Sequence, residues 1–164
     1  MTEERFIDLV RVEQEPLRRF LLVLCDGDSA LADDIAQNAL VRAYVASGSF
    51  RSLSKFRTWL FRIAYNCYID NRRRRSLVTV PIDDDEARNL RAEDSTDSSF
   101  RYQKLHQALE RLPEKEKVAI ILFYFENHSV KEISSILDIP AGTVKYHLSS
   151  GRNRLKKIVA DERY

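Results

Sequence analysis

On a 3.6-residue period, Thr143, Tyr146, Ser149, Ser150 and Asn153 share one side of a helix-forming stretch, with Lys145, His147 and Arg152 flanking them. Hydroxyls, amides and cations in such a row offer donors and acceptors to base edges and charge to phosphates, the chemistry of major-groove reading. A second row lies upstream, where Arg62, Asn66, Ile69 and Arg73 align within a narrow arc and Arg72, Arg73, Arg74 and Arg75 follow in succession. Cations there also complement the negative end of a helix. Their neighbourhood holds Phe50, Trp59, Phe61, Tyr65 and Tyr68, mostly core residues, whose ring faces suit unstacked bases and so favour a nucleic-acid surface. Bond-breaking chemistry lacks its parts. His106, His128 and His147 are dispersed and read as surface or turn histidines, with no paired carboxylates, glycine-rich phosphate loop or metal spacing beside them. Cys25 and Cys67 sit in apolar contexts without CxxC spacing and read as buried small hydrophobes. The chain therefore reads as a non-enzyme that needs no metal or cofactor.

The first row requires a helix-turn-helix. Ser129 with Glu132 three residues on is a capping box, Ile133, Ile136 and Leu137 give one apolar face, and Asp138-Ile139-Pro140 breaks the helix before the next begins. The second helix would bury Val144, Leu148, Gly151, Leu155 and Ile158. The second row requires a long helix over 55–75 with Phe56, Leu60, Ile63, Ala64 and Cys67 inward. Before it, 4–25 reads as helix interrupted near Pro16, and 29–46 as a helix capped by Ser29 with Leu31, Ile35, Ala39 and Ala43 inward. Asp33, Asp34, Gln37, Asn38 and Arg42 take its more exposed positions, where an acidic face can meet a basic partner. With only four glycines and four prolines and no alternating strand pattern, the class is all-α.

Dividing the net charge of +2 along the chain exposes its organisation. Residues 1–75 carry 13 basic and 10 acidic side chains, 76–100 carry 2 and 7, and 101–164 carry 12 and 8. Two basic lobes flank an acidic, apolar-poor middle that includes Asp83-Asp84-Asp85-Glu86. The expectation is two small helical domains, 1–75 and 101–164, joined by a flexible linker over 76–100. With no signal peptide and no apolar run of membrane-spanning length, a reducing cytosol is the expected compartment.

These motifs carry a resemblance. SFRSLSKFRTWLFRIAYNCYIDNRRRR resembles the promoter-melting and minus-ten-recognition segment of bacterial sigma factors, DDIAQNALVRAY the segment that docks on the polymerase clamp, and LPEKEKVAIILFYFENHSVKEISSILDIPAGTVKYHLSSGRNRLKK the domain that reads the minus-thirty-five element. Their order and separation suit the extracytoplasmic-function group. The resemblance implies a dissociable RNA polymerase subunit whose partners are core polymerase, promoter DNA and an anti-sigma factor. It places minus-ten contacts at Phe50, Arg62, Asn66, Ile69, Arg72, Arg73 and Arg74, with an extruded base held between the loop 47–54 and the helix around Asn66. It places minus-thirty-five contacts at Thr143, Lys145, Tyr146, His147, Ser149, Ser150, Arg152 and Asn153, and clamp contacts at Asp33, Asp34, Gln37 and Asn38. The chain departs from the pattern at Asn38, Leu40, Tyr146-His147 and Ser150, and its loop 47–54 lacks the usual Gly-Asp pair. A LuxR-like regulator shares the TVK-x-H spacing, but its usual partner domain does not resemble the first lobe.

Overall fold

The structure, a computed structural model, describes residues 1–51, 55–77 and 97–161, and among them every regular element is helical. The N-terminal half is α1 (Glu3–Leu24), α2 (Ser29–Val45), a 3-10 turn (Ser47–Ser49) and α3 (Phe56–Leu77). The C-terminal half is α4 (Asp97–Glu110), α5 (Glu114–Ile120), a π-turn (Ile121–Phe125), α6 (Val130–Leu137) and α7 (Ala141–Asp161). Most of the expected linker lies outside the described residues. Its margins are helical, since α3 runs to Leu77 and α4 begins at Asp97.

Helix α1 starts where Thr2 accepts from the Arg5 amide and Glu3 and Glu4 face the positive end of the helix. It passes through Pro16 without a break, contrary to the expected interruption. An internal proline costs about 3 kcal/mol, but Leu17, Phe20, Leu21 and Leu24 follow it into the core, and each buried side chain contributes about 1.5–3 kcal/mol. Asp26 and Gly27, with φ of 56° and 82°, turn the chain into α2. The cap of α2 is Asp28 rather than Ser29: its carboxylate accepts from the Leu31 amide at 3.1 Å, leaving Ser29 as the first helical residue. That phase buries Ala32, Ile35, Ala39 and Ala43, and Leu31 stays half-buried. Three alanines let α2 lie close against α1 and α3.

Along α3 the buried face holds Phe56, Leu60, Ala64 and Cys67 as expected, and also Phe61, Tyr65 and Tyr68, while Ile63 remains half-buried. The wider stripe exists because α3 is covered twice, by α1 and α2 on one flank and by α6 on another. Both halves contribute to one continuous hydrophobic cluster, running from Phe20 and Leu60 through Ile121 and Leu122 to Ile133 and Val144.

Ser129 and Glu132 form the capping box of α6, with reciprocal bonds of 3.1 and 3.0 Å. Asp138 ends that helix in the left-handed region at φ 56°, and Pro140 precedes α7. Helix α7 buries Val144, Leu148 and Gly151. Gly151 is required by close approach, because a Cβ there would stand 3.0 Å from Ile120 Cγ1 and 3.3 Å from its Cδ1. Gly142, near the start of the same helix, has open space around it. Two alanine substitutions should therefore have opposite signs in urea unfolding. Gly142→Ala should stabilise by about 0.5–1 kcal/mol through helix propensity, whereas Gly151→Ala should destabilise by about 1 kcal/mol because Ile120 has to move within a packed core.

Candidate nucleic-acid and polymerase interfaces

The helix-turn-helix presents α7 with its buried stripe against α5 and α6 and the opposite face in water. Lys145, Tyr146, Ser149 and Asn153 are exposed, and Thr143 and His147 are half-buried at the edges. Tyr146, 66% exposed, packs its ring edge-on to His147 at 5.7 Å, so the two adjacent rings hold one another in place. Arg152 is exposed and donates to the Tyr124 hydroxyl at 3.0 Å, keeping its other guanidinium donors free to face outward. Ser150 departs from expectation. It is half-buried, and its hydroxyl donates at 2.7 Å to Glu116, a carboxylate 5% exposed on α5. The reason is position: Ser150 adjoins Gly151, which packs against Ile120 and Glu116 of α5. Arg154 pairs with the same carboxylate at 3.1 Å. Ser150 thus anchors the helix, its hydroxyl turned to α5 and away from the exposed row.

On α3, Arg62, Asn66 and Arg73 are exposed along one line, with the half-buried Ile69 between them. Arg74 and Arg75 are also exposed, and Ser76 donates to the Arg73 carbonyl to hold the last turn. Arg72 is not free: its Nη1 lies 2.7 Å from Glu114 at the start of α5, and its guanidinium rides 5.9 Å over the Tyr68 ring. Burial, with Glu114 beside it, pushes the Tyr68 hydroxyl well above the usual tyrosine range and keeps it protonated. Phe50 is half-buried and edge-on to Phe56 at 5.6 Å, with Trp59 at 5.2 Å, so its ring is part of an aromatic cluster at the start of α3. Of the loop 47–54, residues 52–54 lie outside the described residues.

On α2, Asp34, Gln37 and Asn38 are exposed. Asp33 is half-buried and pairs with Arg18 of α1 at 3.0 Å. Of the histidines expected at the surface or in turns, His128 lies in the connection before α6 but is 3% exposed, with its ring 5.0 Å from that of Phe61. Burial and the nearby Arg57 lower its pKa and keep it neutral.

A set of carboxylates on the C-terminal half went unassigned in the sequence. Glu126, its side chain fully buried, accepts from Arg19 at 2.9 and 3.0 Å and from Arg57 at 3.0 Å. Glu132 accepts from the Thr58 hydroxyl at 2.9 Å, with Lys55 at 3.9 Å. Lys117, 4% exposed, reaches the other way, donating to the Leu24 carbonyl at 3.1 Å and to Asp26. The one local signal was Glu126 following a run of eight apolar residues, Val118 to Phe125, a place where a carboxylate must find cations. Which cations answer it is decided more than 60 residues away.

Family models match the two halves separately: Sigma-70 region 2 over residues 9–78 and Sigma-70, region 4 over 102–155. The ECF RNA polymerase sigma factor SigW of Bacillus subtilis is 33% identical over 171 residues, covering 97% of this chain and 91% of its own length. The chain belongs to the sigma-70 family. The RNA polymerase sigma-H factor of Pseudomonas aeruginosa is 30% identical over 94% of this chain and 86% of its own. In fold, it resembles the sigma factor RpoE of Bartonella quintana, solved with the anti-sigma factor NepR, at 24% identity and TM-score 0.77 over 96% of this chain and 98% of that one. It also resembles CnrH, solved with the cytosolic domain of CnrY, at 20% identity and TM-score 0.73 over 98% and 90%. This sigma factor is of the extracytoplasmic-function group, an alternative factor that directs transcription initiation, and not an enzyme.

The Glu132 carboxylate carries a pH signature. Burial alone would raise its pKa, but hydrogen bonds from Ser129 and Thr58 overcome that and bring it from 4.5 down to about 2. A depressed carboxylate contributes stability that is complete above its unfolded value and lost as pH falls through its folded one. The parent should therefore lose stability between pH 4.5 and about 2 more steeply than Glu132→Gln. Parallel slopes in urea titrations across that window would refute the assignment.

Proposed function

We propose that α7 reads the upstream minus-thirty-five element through Thr143, Lys145, Tyr146, His147, Ser149, Arg152 and Asn153, and that α3 engages the minus-ten element through Arg62, Asn66, Ile69, Arg73 and Arg74. The observation that carries this is the row of exposed polar and cationic side chains on each helix, opposite a fully packed stripe. Groove reading needs a rigid helix whose outer face remains available to bases. Phe50 forms the wall of the downstream site, and Asn66, with both donor and acceptor, reads the edge of an extruded base there. Arg72 joins the phosphate contacts once released from Glu114. Asp34, Gln37 and Asn38, with Asp33, dock on the polymerase clamp. The functional division is 1–75 and 101–164 with 76–100 between them. A cytoplasmic location suits this work, and no helix among the described residues is long and apolar enough to cross a membrane. The two structural relatives were solved with protein regulators, which supports an anti-sigma factor as a further partner.

In-vitro transcription with core polymerase and a randomised promoter library tests the assignment. Lys145→Ala and Asn153→Ala should each relax the preference at one upstream position by about 1–3 kcal/mol and leave core affinity unchanged. Asn66→Ala should alter only a downstream position. Loss of core binding by the α7 variants would instead make that helix a protein interface. Replacing Arg73, Arg74 and Arg75 with glutamine should weaken binding to all promoters alike and flatten the salt dependence by about 0.9 in log–log slope for each phosphate contact removed. An unchanged slope would reduce these arginines to a helix-end feature. Asp34→Lys should abolish assembly with core polymerase and leave the helical content as it is.

A further inference from the structure

Helix α7 is fixed by different means at its first turn and at the turn around Gly151. At the start the backbone does the fixing: the Thr143 and Val144 amides donate to the Pro140 carbonyl at 3.0 and 3.1 Å, and Val144 is wholly buried. Further along, the means change. Gly151 brings no side chain to its contact with Ile120, so no ridge of α7 enters a groove of α5 there, and steric keying against a roll of the helix is weak. Polar side chains supply what the glycine omits.

Glu116 of α5 is the group that meets this turn. Its Oε1 accepts from the Ser150 hydroxyl at 2.7 Å and its Oε2 lies 3.1 Å from Arg154 Nε, so one carboxylate bridges one turn of α7. Arg152 and Asn153 lie between those two residues. Glu116 is 5% exposed, and a charged acceptor withdrawn from water holds its donors more strongly than an exposed one. On the other flank of the helix the Tyr124 hydroxyl accepts from Arg152 at 3.0 Å. A roll of about 20° carries a side-chain tip about 5–6 Å from the helix axis through about 2 Å, whereas a productive contact tolerates about 0.5 Å. Asn153 is therefore placed only as well as this turn is braced.

We propose that Glu116 is a positioning residue for promoter recognition, setting the rotation of α7 through Ser150 and Arg154 so that Asn153 meets its base edge in register. Buried beneath the helix, it acts through those two side chains and touches no base. This role rests on the reading of the upstream element by α7 proposed above, and adds to it a residue outside the exposed row. Its effect is confined to one turn, because the bonds to the Pro140 carbonyl hold Thr143, Lys145 and Tyr146 without it.

Holoenzyme carrying Glu116→Ala, compared with Lys145→Ala and Asn153→Ala in transcription from the randomised promoter library, tests this role. The position that Asn153→Ala relaxes should lose about tenfold in base preference with Glu116→Ala, while the position that Lys145→Ala relaxes should stay within about twofold of the parent. A merely structural loss would spread over both. Relaxation of both positions together, or of neither, overturns the proposal. Adding Ser150→Ala to Glu116→Ala should cost nothing further, because the hydroxyl acts through the carboxylate, and a further loss refutes it. Should Glu116→Ala lose helicity by circular dichroism, Ser150→Ala and Arg154→Ala decide. Each should relax the Asn153 position by about threefold, the worth of one modest hydrogen bond, and a parental preference in either refutes the brace. If Lys145→Ala and Asn153→Ala themselves move no upstream position, the reading by α7 falls and this role with it, an outcome those two variants report without Glu116.

Discussion

The buried carboxylate of Glu126 is the constraint on which the joining of the two halves depends. An ionised group wholly removed from water is tolerable only with near-ideal partners, and Glu126 has two: a bidentate bond from Arg19 on α1 and a further bond from Arg57 on α3. The arginines keep part of their surface in water, which lessens the desolvation cost on their side. Arg57 also lies 3.4 Å from Glu13, whose carboxyl is pushed above its usual range by burial. One guanidinium thereby ties α1 and α3 to the C-terminal half. The π-turn delivers the carboxylate: the Glu126 amide donates to the Ile121 carbonyl at 3.1 Å, widening the helix by one residue at the point where the chain must leave it.

Around that junction, helix ends are completed across the seam. The Leu24 carbonyl, one of the last of α1 and without an intrahelical partner, accepts from the Lys117 ammonium, a cation set at the negative end of the helix. The capping box of α6 leaves one oxygen of Glu132 free for Thr58 on α3. Each contact serves a local need and a long-range one together. The continuous apolar cluster beneath them supplies the non-directional part of the attraction, and the polar groups fix the register.

Helix α7 is held from behind its exposed face by packing and by polar contacts. Gly151 lets α7 lie where a Cβ would press on Ile120, Ser150 and Arg154 grip Glu116, and Tyr124 holds Arg152. Exposed side chains and side chains that anchor the helix alternate along α7. Ser150 shows why a polar residue on a helical wheel is not thereby a reading residue: it sits at the margin of the buried stripe, and a carboxylate beneath it claims the hydroxyl.

What the sequence determined by itself was local and periodic. The capping box at Ser129 and Glu132, the break at Asp138-Ile139-Pro140, the stripe of Val144, Leu148 and Gly151, and the outward row of Arg62, Asn66 and Arg73 all follow from neighbours within four residues. Local signals failed where tertiary packing outweighed them. Pro16 does not break α1 because the core beyond it outweighs one lost hydrogen bond, and Asp28 displaces Ser29 as a cap because the Asp26-Gly27 turn sets the phase of α2. The fate of Arg72, Glu114, Glu126 and His128 was not legible at all. No spacing rule connects Arg19 to Glu126 or Arg72 to Glu114, since each pair is made only when α5 and α6 settle against α1 and α3, and charges far apart in sequence carry no mark of which partner the fold will bring.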